Sequence, residues 1–254
     1  MRPPDRVFAD EHCEIVIGSG AAIVHDRGRQ RYYTTPLDRL PAEVLSNTVP
    51  RTSRIGWTGA MTLLLLLGAC LVGNYALLAH QPAGSWSATA VCALVAYLAV
   101  SVALHEGAHV AALRWTGRRI DRVGVKLNFG VFPAFYVRMN QTLLLSRPEK
   151  ILVHSAGLLS NLTLNAALLI LTRATGTDLL VLPLAVVLTA IAVNAIPMLN
   201  SDGYRILLAV TGTDATRTLR TNPWWVVLIK VLSVLYAAAS VAVPLATTIR
   251  SLLA

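Results

Sequence analysis

Two histidines and a glutamate, His105, Glu106 and His109, stand in the order His-Glu-Gly-Ala-His. On a helix the four-residue step turns about 400°, which brings both imidazoles to one face and within reach of a single metal ion. Glu106 then sits beside the ion without binding it. The roles divide accordingly: two neutral imidazoles hold zinc, and the carboxylate takes a proton from water that the ion has activated for attack on a carbonyl. Gly107 and Ala108 keep the intervening positions small, so a helix or a substrate can approach closely. A competing reading makes both histidines packing residues bonded to backbone or serine. It is the weaker one, because the motif lies in an apolar run from about Ser87 to Arg114 whose only acid is Glu106. Lipid holds no water to satisfy such a carboxylate, and ionisable groups at that depth point to function.

The elements that must position these groups are membrane helices. Apolar residues make up 55% of the 254 and charged residues 14%, which with a mean hydropathy of +0.58 excludes an ordinary soluble domain. Five runs suit a hydrocarbon core that takes about 20 helical residues: approximately 57–79, 87–113, 151–172, 179–199 and 224–247. The fold class expected is an all-α polytopic membrane protein with a small β-containing N-terminal segment. The boundary falls at 54/55, with a cytoplasmic segment 1–54 and a transmembrane domain 55–254. The net charge of +9 is spread between the spans with no aromatic-interleaved stripe, so no nucleic-acid partner is expected. It sorts instead by topology. Lys and Arg crowd before the first run, between the second and third, and between the fourth and fifth, while the opposite side receives only Arg173 and Arg250. The positive-inside bias places a multi-pass protein in the cell membrane with its N-terminus cytoplasmic. The His-Glu motif then lies about 7 to 14 Å along the axis from Arg114, near the cytoplasmic leaflet.

No signal peptide is visible in the first fifty residues. Cys13, Cys70 and Cys92 are odd in number and make no disulfide framework; His12 beside Cys13 is a weak metal pair. Glu14–Ile17, Ala21–His25 and Gln30–Thr34 read as strands around an Asp26-Arg27-Gly28 turn, and Leu37–Leu45 as a helix. Gly18-Ser19-Gly20 lacks the third glycine and the helix of a dinucleotide loop. Two uses fit the segment equally: a docking module for substrate or partner, or a cap anchoring the first span. Between the second and third spans Val123, Val125, Leu127 and Phe129 alternate with smaller or polar residues, and Gly130 turns the chain into Val131–Met139, which predicts an apolar hairpin at the membrane. Such a hairpin can hold an unwound substrate along a strand edge, or it is simply a surface hairpin.

In the third span His154, Asn161 and Asn165 fall within about 40° on one face. The stripe predicts a polar lining for the metal cavity, with Asn161 orienting water or donating to a developing oxyanion and His154 as a wall residue; interhelical bonding explains Asn165 equally well. Zinc needs a third protein ligand and one position open to water. The acids after His109 are Asp121, Glu149, Asp178, Asp202 and Asp214; Asp121 and Glu149 stand among basic residues at span ends, Asp178 is on the outer side, and Asp202 alone lies at the cytoplasmic end of a span whose direction brings it level with the motif. Pro197 and Gly203 are expected to break the helix there and turn the carboxylate inward. Asp202 as a solvated turn residue, and Glu149 as third ligand, remain the rivals.

His-Glu-x-x-His on one helix, Asn161 in Ala156-Gly157-Leu158-Leu159-Ser160-Asn161 on the next and Asp202-Gly203 on the one after together resemble the site-2 protease family of intramembrane zinc metalloproteases. The resemblance covers roughly Leu98 to Leu208. It implies that His105, His109 and Asp202 bind zinc, that Glu106 is the catalytic base and that Asn161 matches the Gly-x-x-x-Asn element. Asp202-Gly203-Tyr204 and Pro133-Ala134-Phe135-Tyr136 look like the branch found with bacterial peptide-maturation genes. Asn200-Ser201 before Asp202 and Leu158 after Gly157 depart from the common pattern. The expectation is a membrane endopeptidase that cleaves a membrane-associated or precursor peptide, in maturation of a ribosomally made peptide. The substrate is a peptide or membrane protein in contact with the lipid bilayer. The rival of a different class is a non-catalytic membrane protein of export or immunity that binds metal or peptide, for which Glu106 would be dispensable.

Overall fold

The structure, a computed structural model, describes residues 6–18, 21–128, 132–213, 222–236 and 238. The chain divides into two compact units, Met1–Leu66 with Val100–Gly157 and Leu67–Ala99 with Leu158–Ala254.

The first unit opens with a five-stranded antiparallel sheet. Its strands are β1 (Arg6–Ala9), β2 (Cys13–Ile17), β3 (Ala21–Asp26), β4 (Arg31–Pro36) and, after a 3-10 turn and the short helix α1 (Ala42–Ser46), β5 (Val49–Pro50), in the order β4-β3-β2-β1-β5. The β2–β3 register pairs Ile15 with Val24 and Glu14 with His25. One face carries Ile15, Ala22 and Val24 against Phe8, Ile17, Leu37, Leu40 and Val44, a core that fixes the register because a one-residue slip would expose all of it. Asp26 closes the β3–β4 turn by accepting from the Arg29 amide at 2.9 Å. β1 was not predicted: four residues, RVFA, show too little alternation to stand out.

Three helices are long and apolar enough to cross a membrane: α2 (Trp57–Ala79), α3 (Ala88–Trp115) and α4 (Arg147–Thr175). They match the first three predicted runs, and each contributes to both units. In the first unit Trp57 and Trp115 are both exposed, at the start of α2 and the end of α3, where amphipathic rings favour a membrane–water boundary. α3 ends in a Schellman motif. Gly117, at φ +83, lets its amide reach Arg114 O (2.9 Å) and the Arg118 amide reach Leu113 O (3.1 Å). Arg118 thereby turns onto the sheet, donating two bonds to Glu14 at 2.7 and 2.5 Å. Burial pushes the Glu14 carboxyl up, but the Arg118 bonds and charge, with Arg27 and Arg51, outweigh it and hold the group below its ordinary value.

The predicted hairpin is present as β6 (Arg122–Asn128) and β7 (Phe132–Arg138), with Val125 opposite Phe135; Gly130 at its turn lies outside the described residues. α4 then starts on a capping box. Glu149 Oε2 accepts from the Ser146 amide and hydroxyl at 3.0 and 2.8 Å, its own amide faces Ser146 Oγ at 3.4 Å, and Arg51 stands 3.6 Å away.

In the second unit the run predicted at 179–199 holds the 15-residue helix α5 (Val181–Ala195), followed by a turn with Asn200 at φ +70 and by α6 (Asp202–Thr211). Of the run 224–247, α7 (Trp224–Tyr236) is described and the remainder lies outside apart from residue 238. Pro197 follows the end of α5 as expected, but Gly203 does not break a helix. It lies in the first turn of α6, where a Cβ would run into the carbonyl of Ala195. Glycine is needed there for close approach of two backbones.

Candidate metal centre

His105 and His109 occupy successive turns of α3, with their Nε2 atoms 3.0 Å apart and rings edge-on at 4.6 Å. Two ligands of one tetrahedral zinc ion lie about 3.3 Å apart, so this spacing is already that of a shared ion. His109 is buried, and its Nδ1 donates to the Val153 carbonyl at 2.6 Å. That bond puts the proton on Nδ1 and the lone pair on Nε2, the tautomer a metal requires. Glu106, half-buried, follows His105 directly. His154, buried, packs against the His109 ring with centroids 6.1 Å apart.

Gly157 is what permits this packing. A Cβ built on it would stand 2.5 Å from His109 Nε2 and 2.7 and 2.8 Å from His105 Cε1 and Nδ1. The backbone of α4 therefore lies directly against both imidazoles, and any side chain would displace them.

Asp202 is held separately, at the first turn of α6, where the helix N-terminus favours a carboxylate. Ser201 caps the helix by accepting from the Tyr204 amide at 3.0 Å. Asn194, in the last turn of α5, clasps Asp202 from both sides. Its Nδ2 donates to Asp202 Oδ2 at 2.9 Å and its Oδ1 accepts from the Asp202 amide at 3.1 Å. The Asn194 amide thus orients the carboxylate.

Among the described residues one group of His, Cys, Asp and Glu side chains could hold a metal ion: His105, His109 and Asp202, whose ligand atoms all lie within 4.8 Å of one another. Two imidazole nitrogens and a carboxylate oxygen, with the His109 tautomer fixed by a carbonyl and Asp202 oriented by an amide, form a donor set that fits zinc. Glu149, the rival third ligand, is committed to the α4 cap and also accepts from the Arg54 amide at 3.1 Å. His12 and Cys13 stand outside this group; their amides donate to Asp10 Oδ1 at 2.7 and 2.6 Å.

The predicted stripe on α4 divides. Asn161 is buried one turn beyond Gly157. Asn165 does not belong to a metal cavity: it accepts from Tyr97 Oη at 2.7 Å and donates to Asn74 Oδ1 at 3.0 Å. Asn74 in turn donates to Cys70 O (2.8 Å) and Leu162 O (3.1 Å). Asn165 is interhelical bonding, tying α2, α3 and α4 together inside the second unit. The residue that the sequence reading missed is Asn194, and the seat that Gly157 makes for both imidazoles goes beyond its place in the Gly-x-x-x-Asn element. Each is a helix residue whose partner comes from another element, so only its type, an amide or a glycine in an apolar run, hints at a role.

No protein-family model matches the chain. No solved structure matches it either. A Bacillus subtilis protein named "Putative peptide zinc metalloprotease protein YydH" is 32% identical over 241 residues, spanning 92% of this chain and 94% of the relative. At that identity and coverage, and consistent with the site-2 protease resemblance of the His105, Asn161 and Asp202 motifs, the chain belongs to the family of this peptide zinc metalloprotease.

Proposed function

We propose that the protein is an intramembrane zinc metalloendopeptidase that cleaves a membrane-associated or precursor peptide, in the maturation of a ribosomally made peptide. The observation that carries this reading is the ligand group of His105, His109 and Asp202 with Glu106 next to it in sequence. The name of the relative supports a peptide substrate. His105, His109 and Asp202 would hold zinc, which when bound supplies a Lewis acid that polarises the scissile carbonyl and acidifies water. Glu106 takes the proton of the attacking water and delivers it to the leaving amine, which a carboxylate can do in both directions. Asn161 donates its amide to the oxyanion as the carbonyl becomes tetrahedral. Strands β6 and β7 offer an edge on which an unwound substrate is held extended, so that its carbonyl is open to attack. The active site lies near the cytoplasmic leaflet of a multi-pass protein, in line with the distribution of Lys and Arg.

The test uses purified full-length protein in detergent, with candidate precursor peptides analysed by mass spectrometry and bound zinc by elemental analysis. Glu106→Gln is expected to keep about one zinc per chain and to slow cleavage by at least about 10³-fold, the order expected for loss of a general base. Cleavage at the wild-type rate would remove Glu106 from the chemistry. Zinc without cleavage in the wild type, across the panel of precursors, would favour a metal- or peptide-binding export or immunity protein.

A further inference from the structure

At the end of α3, outside the metal centre, the Schellman turn shapes a second feature. Arg114, Gly117, Arg118, Arg119 and Ile120 line a cavity of about 520 Å³. Arg118 is committed to Glu14. Arg54 reaches in from the start of α2, its Nη1 donating to the Trp115 carbonyl at 2.5 Å and its Nη2 3.5 Å from where a Gly117 Cβ would be. The neighbouring acid Asp121 accepts from the Asn140 amide at 2.7 Å. Among the described residues the side chains of Arg114 and Arg119 have no acidic partner, and both are exposed. Ile120 packs on the apolar cluster of Leu113, Leu145 and Val153, so one wall of the cavity is greasy and the other cationic.

We propose that this cavity binds the headgroup phosphate of an anionic phospholipid. Three properties select a lipid over a soluble anion. The cavity begins where a 28-residue helix able to cross a membrane ends. The exposed Trp115 ring beside it suits the headgroup level. Ile120 sets an apolar side chain beside the guanidinium groups, a contact that a lipid can use and a free anion cannot. Arg114, in the last turn of α3, and Arg119, just beyond the helix, both line the cavity, and guanidinium groups bind a phosphate in the fork geometry that arginine favours. The proposal does not rest on the peptidase reading, and the bland account of the same residues, basic groups complementing a helix C-terminus, predicts no headgroup selectivity.

The experiment is native mass spectrometry of the full-length protein in detergent, titrated with phosphatidylglycerol, phosphatidylcholine or inorganic phosphate. Wild type should retain phosphatidylglycerol at least tenfold better than phosphatidylcholine. Arg114→Gln with Arg119→Gln should abolish that preference, at roughly fivefold per guanidinium. Arg114→Lys with Arg119→Lys should keep most of it, which separates loss of charge from loss of fold. Equal retention of the two lipids by the wild type, or unchanged selectivity in the double Gln variant, would overturn the proposal. Displacement of the lipid by millimolar phosphate would also overturn it, in favour of a soluble anion. Running the titration on Glu106→Gln protein keeps the outcome independent of cleavage.

Discussion

The second unit buries Asn74, Asn165 and Tyr97, and His105, His109 and Asp202 form a group that could hold a metal ion, two placements of polar side chains among apolar helices. The two solutions differ. In the first, Tyr97 donates to Asn165, Asn165 to Asn74, and Asn74 to two backbone carbonyls. The network closes on itself and asks for nothing from outside. In the second, two imidazole nitrogens face one another at 3.0 Å and a carboxylate is oriented by the Asn194 amide, a donor set that suits a cation. A closed network contributes cohesion; an open one contributes chemistry, and its supporting residues should matter to function rather than to stability.

Gly157→Ala is the sharpest way to break that contrast. A methyl group 2.5 Å from His109 Nε2 has to push an imidazole aside, so zinc content and cleavage are expected to fall by about 100-fold or more, as misplacement of a reacting group by about 1 Å does. Circular dichroism should still report folded helices. Asn194→Ala comes next. It frees the Asp202 side chain to rotate without removing its charge, and zinc affinity, read by competition with a chromophoric chelator, should weaken about 10- to 100-fold. An unchanged affinity would mean that α6 alone orients the carboxylate.

These two residues also mark where the sequence stops being legible. His105, Glu106 and His109 are legible because their geometry is local: one helix and a fixed spacing suffice. Asp202 is reached by exclusion, since few acids follow His109. Asn194 is not reached, and Gly157 is reached only as part of the Gly-x-x-x-Asn resemblance and not as the seat of the imidazoles, because what they touch comes from elsewhere in the chain, across a helix break or from a different helix. Glu149 teaches the converse. Ser146-Arg147-Pro148-Glu149 carries the capping-box signature, so the rival ligand could have been discounted from sequence alone. Asn165 was readable only as a member of a polar stripe, since periodicity places a side chain on a face and does not name the partner opposite.

A third polar contact, outside the spans, tests the same distinction in water. The Arg118–Glu14 pair holds the sheet to the end of α3 with both groups largely buried. Glu14→Gln leaves Arg118 without its carboxylate, and about 2 kcal/mol of stability should be lost at neutral pH, less than for a fully buried pair because Arg118 retains some solvent. The folded carboxyl titrates below its ordinary 4.5. The contribution is therefore complete above about pH 4.5 and disappears as pH falls through the lower folded value. Thermal melts at pH 7 should separate wild type from Glu14→Gln, and the gap should narrow as the buffer is taken below pH 4.5.

The smallest effect belongs to the closed network, and its size is informative. Asn165→Ala strands the Tyr97 hydroxyl and one side of Asn74, yet in apolar surroundings such bonds are worth only about 0.6 kcal/mol each and at most about 1.7, because the dissociated helices find other partners. A double-mutant cycle of Asn165→Ala with Tyr97→Phe, read by steric trapping or denaturant titration in detergent, should give a coupling in that range. Zinc stoichiometry should not change, because neither side chain belongs to the ligand group. Asn161→Ala, one turn earlier on the same helix, should reverse the pattern, slowing cleavage with little change in stability. If Asn165→Ala instead lowered zinc content while leaving the melt untouched, the two networks would be one, and cohesion and chemistry in this protein would share a single set of hydrogen bonds.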